Sequence, residues 1–217
     1  MKPVLRLVLA SNNAKKLTEL RALFGALPLE LVAQGTLGIP EADEPHGTFL
    51  ENALAKARHA ARAAGGAAIA DDSGLCVDAL GGAPGVVSAH WAGVVPAQAD
   101  REATRRVQDA ANNALLLQRL QGVADRRARF VSVLVALRGP DDPEPLVAFG
   151  RWQGEILRER RGEGGFGYDP LMFIPASGRT VAELGADEKN RVSHRAQAAA
   201  QLSGLLRQGW HLAAGAS

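Results

Sequence analysis

Cysteine is almost missing from this chain, with Cys76 the only one among 217 residues. No internal disulfide is then possible, a metal site built on several thiolates is excluded, and a reducing compartment fits. A surplus of one charge sign is also lacking. The 25 Lys and Arg residues stand against 23 Asp and Glu, so the formal charge is +2 and no broad field exists to grip a nucleic-acid backbone. The local basic clusters, Arg126-Arg127 with Arg129 and the stretch Arg158 to Arg161, read as solvated loops, and no nucleic-acid partner is expected. Long apolar runs are absent. Lys2 and Arg6 precede only the short run Leu7 to Ala10, so no membrane partner is expected and the location reads as cytoplasmic. Repeats, low-complexity tracts and interdomain linkers are missing as well. With 47% apolar residues the chain can build one substantial core, and a single domain over residues 1–217 is the expectation.

What is present alternates strands with helices. Val4 to Ala10 reads as a strand that stops at Ser11-Asn12-Asn13, after which Leu17, Leu20, Leu23 and Phe24 recur at helical spacing. Leu29 to Ala33 reads as a second strand and Gln34 to Gly47 as a polar loop. Thr48 opens the next helix, with Glu51 at the capping-box spacing and Phe49, Ala53, Ala57, Ala60 and Ala64 along one apolar face that runs toward Gly65-Gly66. Ala67 to Ala70 is a buried strand expected to end at Asp71-Asp72, and Leu75 to Leu80 is a further short apolar run. Gln98 to Leu120 is helical in pattern, and Arg129 to Leu137 alternates as a strand. A turn at Pro140 to Pro145, one or two strands over Leu146 to Leu157, a Gly- and Arg-rich loop from Arg158 to Pro170 and a helix from Ser193 to Arg207 complete the pattern, with a fraying end. Such alternation argues for an α/β fold, a mixed sheet with helices on its faces.

Five stretches can carry chemistry. Asp71-Asp72-Ser73-Gly74 places two carboxylates where a strand meets a turn. Carboxylates suit a hard divalent cation, and strand alternation sends the two side chains to different faces, so two roles are expected; a plain polar turn is the other reading. Ser11 to Lys16, S-N-N-A-K-K, joins a strand to a helix start, where backbone N–H groups point outward and can take an anion; an ordinary Asn N-cap followed by two surface lysines also fits. It is not a Walker A loop, since G-x-x-x-x-G-K-S/T occurs nowhere in the chain. Gly162 to Gly167 matches G-x-G-x-x-G by letter, yet Tyr168-Asp169-Pro170 follows and no amphipathic helix, so the dinucleotide reading fails. Phe166 near Asp169 suits stacking and edge recognition of a base, or else a buried aromatic in a turn. Lys189 and Ser193-His194-Arg195 supply donors at a helix start, or solvated basic residues there, with Ser193 as the N-cap. The glycines of Gly81-Gly82-Ala83-Pro84-Gly85 fit a tight turn or a close approach of backbone to ligand.

Together S-N-N-A-K-K, T-F-L-E-N-A at Thr48 to Ala53, A-D-D-S-G-L, G-G-A-P-G, G-G-F-G-Y-D-P and E-K-N-R-V-S-H-R resemble the inosine triphosphate pyrophosphatase family, the bacterial dITP/XTP pyrophosphatases. The resemblance spans nearly the whole chain. It implies hydrolysis of non-standard purine nucleoside triphosphates (dITP, ITP, XTP) between the α and β phosphorus atoms, giving monophosphate and pyrophosphate, with Mg²⁺ required. It implies an elongated mixed α/β sheet with flanking helices, two lobes around a central nucleotide-binding cleft, and a homodimer. Ser11, Asn12, Asn13, Ala14, Lys15, Lys16 and Lys56 would hold the phosphates, and Glu44 with Asp72 would bind Mg²⁺. Asp72 would also serve as base for the attacking water, with Asp71 supporting and Ser73 touching substrate. Phe166, Gly167, Tyr168 and Asp169 would enclose base and sugar, while Lys189, His194 and Arg195 would address the purine's 6-oxo edge. Two departures stand out: His90 replaces the family's usual arginine, and Pro45-His46 interrupts the acidic loop, which leaves Glu44, Asp43 and Glu41 as rival second ligands. The alternative from another class is a nucleotide sensor that binds without turnover.

Overall fold

In the computed structural model, which describes residues 4–212, the first strand β1 (Leu5–Leu9) pairs in parallel with β2 (Leu29–Ala33) and with β3 (Ala68–Val77). Parallel neighbours need crossovers, and helices supply them: α1 (Ala14–Leu23) between β1 and β2, and α2 (Phe49–Ala64) between β2 and β3. The rest of the chain forms α3 (Arg101–Arg119), β4 (Arg127–Leu137), β5 (Leu146–Ile156), β6 (Met172–Ile174), β7 (Arg179–Thr180), α4 (Ala186–Val192) and α5 (His194–Gly209). The sheet order is β2-β1-β3-β4-β5-β6-β7, with β6 antiparallel to both β5 and β7. The mixed α/β architecture is as expected. No helix among the described residues is long and apolar enough to cross a membrane. The end expected to fray includes residues 213–217, which lie outside the described residues.

Two compact units emerge. The first comprises the residues up to Asp72, Ser132–Arg151 and those from Asn190 on; its core joins Leu7 and Leu9 of β1, Leu20 and Phe24 at α1, Ile69, Leu134 and the α5 residues Ala198, Leu202 and Leu206. The second comprises Ser73–Val131 and Trp152–Lys189, cored by Leu75, Val77, Leu116, Leu120, Phe130, Trp152, Ile156, Tyr168 and Leu171.

One expectation needs correcting. β3 does not end at Asp71 but runs ten residues through Asp72, Ser73 and Gly74 to Val77, so both carboxylates lie inside a strand. Sheet pairing and the buried partners of the two aspartates outweigh the turn preference of Asp, Ser and Gly. A short 3₁₀ segment, Asp78–Leu80, follows, and the turn after it uses left-handed backbone at Gly81 (φ 62°) and Gly82 (φ 91°), where side-chained residues are disfavoured.

The α2 start differs in a smaller way. The Thr48 hydroxyl accepts from the Glu51 N–H at 3.2 Å, as a cap should, but it also donates to the Glu51 carboxylate at 2.7 Å, which replaces the expected reciprocal bond to the Thr48 N–H. Thr48→Ala is expected to cost about 1 kcal/mol, read as a lower urea-unfolding midpoint, because one helix-start donor loses its partner. An unchanged midpoint would mean that water replaces the cap.

Candidate active site

Asp71 and Asp72 are neighbours on β3 and therefore face opposite sides, and the structure gives each its own set of partners. Asp71, 1% exposed, accepts from three side chains. Lys16 of α1 lies 2.9 Å and Arg195 of α5 3.2 Å from its Oδ2, and the Ser132 hydroxyl of β4 donates to its Oδ1 at 2.7 Å. Arg195 is held on its other side by Glu19. Burial alone would push the Asp71 carboxyl up; the Lys16 and Arg195 charges and the Ser132 bond override it and hold the group well below the usual carboxylate range. Lys16 in turn is lowered, chiefly by burial.

Asp72 faces Lys56. The Lys56 ammonium, buried on α2, donates to Asp72 Oδ1 at 2.8 Å, to Glu44 Oε1 at 2.7 Å and to the main-chain oxygen of Asp71 at 3.1 Å. Burial works to lower its pKa, but the two carboxylates raise it above the ordinary lysine value. Burial, helped by the Glu44 charge, moves Asp72 the other way from Asp71, to a raised pKa that Lys56 only partly offsets. Asp72 Oδ2 is buried and has no hydrogen-bond partner among the described residues. Buried carboxylate oxygens are seldom left bare, so this atom awaits a donor or a cation.

Asn52 of α2 pins the end of the loop before the helix. Asn52 accepts from the His46 N–H at 3.0 Å and donates to the His46 carbonyl at 3.2 Å. Despite the Pro45-His46 interruption, Glu44 is the acid of this loop that meets Lys56. Glu44 and Asp72 thus converge on one ammonium, with both carboxylates within 2.8 Å of the same nitrogen. No cluster of three or more His, Cys, Asp or Glu suited to a metal occurs among the described residues. Two carboxylates are nevertheless the usual protein share of a Mg²⁺ site that also uses phosphate oxygens and water, so the residues fit that ion.

At the α1 start the Asn13 side chain accepts from the N–H groups of Lys15 (3.1 Å) and Lys16 (3.2 Å), and the Ser11 hydroxyl accepts from the Asn13 N–H at 3.1 Å. Those two helix-start amides serve the Asn cap in this structure, one of the two readings that the sequence left open for this turn. Asn12 packs against β2's exit: an added Cβ on Gly35 would come 2.4 Å from its Oδ1.

The second unit gathers Phe166, Asp169 and Lys189. Lys189 Nζ lies 2.9 Å from Asp169 Oδ2 and 4.7 Å from the centroid of the Phe166 ring, and the Phe166 N–H donates to the same Asp169 oxygen at 3.1 Å. Tyr168 donates its hydroxyl to the Ser88 carbonyl at 2.9 Å, and burial with the nearby Asp109 charge pushes its pKa up. The loop depends on Gly165, whose φ is 74° and whose added Cβ would sit 2.1 Å from Asp169 Oδ2. Gly165→Ala is expected to lose about 1–2 kcal/mol from backbone strain alone, read by urea unfolding, with further loss as the carboxylate is displaced. A midpoint equal to that of the parent would show that the loop gives way freely.

Lys189 is engaged by Asp169, whereas Arg195, 1% exposed, is engaged by Asp71 and Glu19. His194 is buried at the first turn of α5, where Ser193 caps the helix by accepting from the Ala196 N–H at 3.2 Å. Ser73 lies half-buried on β3, and His90 is exposed at the end of the 3₁₀ segment Gly85–His90. Sequence reading missed Ser132 and Glu19, which complete the Asp71 network, and Asp109 and Asn113, which hold Gly167. A partial signal existed for the last two, since Asp109 and Asn113 are four apart on a helix.

Comparison with known proteins extends these observations. The model of the Ham1 family matches residues 7–205. A protein of Methylibium petroleiphilum named dITP/XTP pyrophosphatase is 75% identical over 206 residues, covering 95% of this chain and 99% of the relative. One of the same name from Leptothrix cholodnii is 66% identical, covering 96% of this chain and 100% of the relative. Among solved structures, a HAM1 protein from Coxiella burnetii superposes with a TM-score of 0.83 at 43% identity, covering 93% of this chain and 98% of that one.

Proposed function

This chain belongs to the Ham1 family, and from that premise we propose that it hydrolyses non-standard purine nucleoside triphosphates, dITP, ITP and XTP, to the monophosphate and pyrophosphate. The observation that carries the reading is the meeting of Glu44 and Asp72 at Lys56, with Asp72 Oδ2 buried and without a partner among the described residues. Glu44 and Asp72 would hold Mg²⁺, which when bound neutralises charge on the phosphates. Phosphoryl transfer is mostly positioning and charge neutralisation, so no covalent nucleophile is needed.

Lys56, whose raised pKa keeps it cationic, would stand beside the triphosphate, with Ser11 to Lys16 forming the other wall. Asp72 would take the proton of the attacking water, the role the family resemblance gives it. Asp71 would support the site by fixing Lys16 and Arg195. Phe166 to Asp169 would enclose base and sugar, Ser73 would touch substrate, and Lys189, His194 and Arg195 would read the 6-oxo edge. A carbonyl there satisfies buried donors that an amino group would leave unpaired, a difference that can reach about 10⁴-fold. The family resemblance supports the same reading at a wider scale: a cytoplasmic homodimer that cleanses the nucleotide pool, with residues 1–217 acting as one domain.

The test is pyrophosphate release from ITP, XTP and ATP with and without Mg²⁺. Release from ITP and XTP that requires the ion is expected. Binding of ITP without release would establish a sensor in its place.

A further inference from the structure

On the reading that Phe166 to Asp169 enclose the base, we propose that Asp109 and Asn113 of α3 are positioning residues that set base specificity by clamping the Gly167 peptide. Both polar groups of that one peptide residue end on side chains a helical turn apart. The Gly167 N–H donates to Asp109 Oδ2 at 2.8 Å, and the Gly167 carbonyl accepts from Asn113 Nδ2 at 2.8 Å. A loop residue with a left-handed backbone (φ 62°) is thereby fixed to a regular helix from both directions. Its neighbours inherit the orientation: Phe166 supplies the ring over which Lys189 sits, and Tyr168 is tied through its hydroxyl to Ser88.

Asn113 is the more telling member. Its Nδ2 is aimed by two carbonyls, those of Gly167 and, at 2.6 Å, Asp109, and this leaves its Oδ1 buried without a partner among the described residues. A bare buried acceptor lowers stability. The side chain is therefore better explained by the peptide it holds than by any gain to the core. The bonds both residues make to Gly167 hold the loop that is to enclose the base, so the clamp is expected to affect recognition of the base and not the chemical step.

The experiment compares kcat and KM for ITP and ATP, in the presence of Mg²⁺, across the parent, Asp109→Ala, Asp109→Asn and Asn113→Ala. Amide hydrogen exchange at Gly167 is followed in the same proteins. Asp109→Ala is expected to raise KM for ITP about tenfold with kcat within about twofold, to narrow the preference for ITP over ATP by a similar factor, and to speed exchange at Gly167, since small misplacements of a recognition group are costly. Asp109→Asn should restore KM, because its amide oxygen accepts the same N–H. Should Asn113→Ala fail to fold, the Asp109 pair still decides. KM and preference at parent values, with only a lower melting temperature, would make the clamp merely structural and overturn the proposal. A parent inert toward ITP is seen before any variant is compared; it would reject the base-site reading and this proposal with it.

Discussion

Asp72→Asn is expected to lower pyrophosphate release from ITP by about 10³-fold or more at saturating Mg²⁺, since it removes a metal ligand and the base for water together, and the second role alone is worth about 10²–10⁴. The substitution keeps the size and shape of the side chain. Lys56 is not stranded by it, because Glu44 at 2.7 Å and the Asp71 main-chain oxygen at 3.1 Å remain. The variant should therefore unfold near the parent's midpoint while losing turnover. Binding of Mn²⁺, followed by electron paramagnetic resonance in the presence of a non-hydrolysable nucleotide, should weaken in parallel, which gives a readout apart from activity. Turnover within tenfold of the parent would remove Asp72 from the reaction. Loss of the fold would instead mean that Lys56 needs both carboxylates to stay buried.

The parts of this site visible in the sequence are those in which local chemistry and tertiary structure agree. Asn13 and Thr48 stand where helix starts need oxygen acceptors, and both cap helices here. The alternation of Asp71 and Asp72 needed only the two-residue period of a strand to predict two separate sets of partners. Where the strand would stop was not legible. Asp, Ser and Gly carry a turn signal in the chain, and only the partners across the sheet and from α1, α2 and α5 override it. The short β6, β7 and α4 escaped for a different reason: with three, two and seven residues they are too brief for a periodicity to register. Arg195 shows a further limit. The sequence gives no sign that its buried guanidinium meets Asp71 and Glu19, a pairing set by residues more than a hundred positions away.

Asp71→Ala is expected to be the most destabilising single change in the site, by about 3–5 kcal/mol, because removing one member of a buried ion network leaves the others charged and unpaired. Lys16 loses the carboxylate it meets at 2.9 Å, and Arg195 loses one of its acidic partners while Glu19 remains. The Ser132 hydroxyl loses its acceptor as well. Acid should expose the same network in the parent. The folded Asp71 carboxyl is held well below its ordinary value, so its contribution is fully present above the unfolded pKa of about 4 and is lost as pH falls through the folded value. The stability gap between parent and Asp71→Ala, measured by urea unfolding, should thus be widest near neutrality and shrink below about pH 4. A gap under about 1 kcal/mol at neutral pH would mean that the chain repacks around the two cations. A gap that stays constant into acid would mean that Asp71 acts through its shape and not its charge.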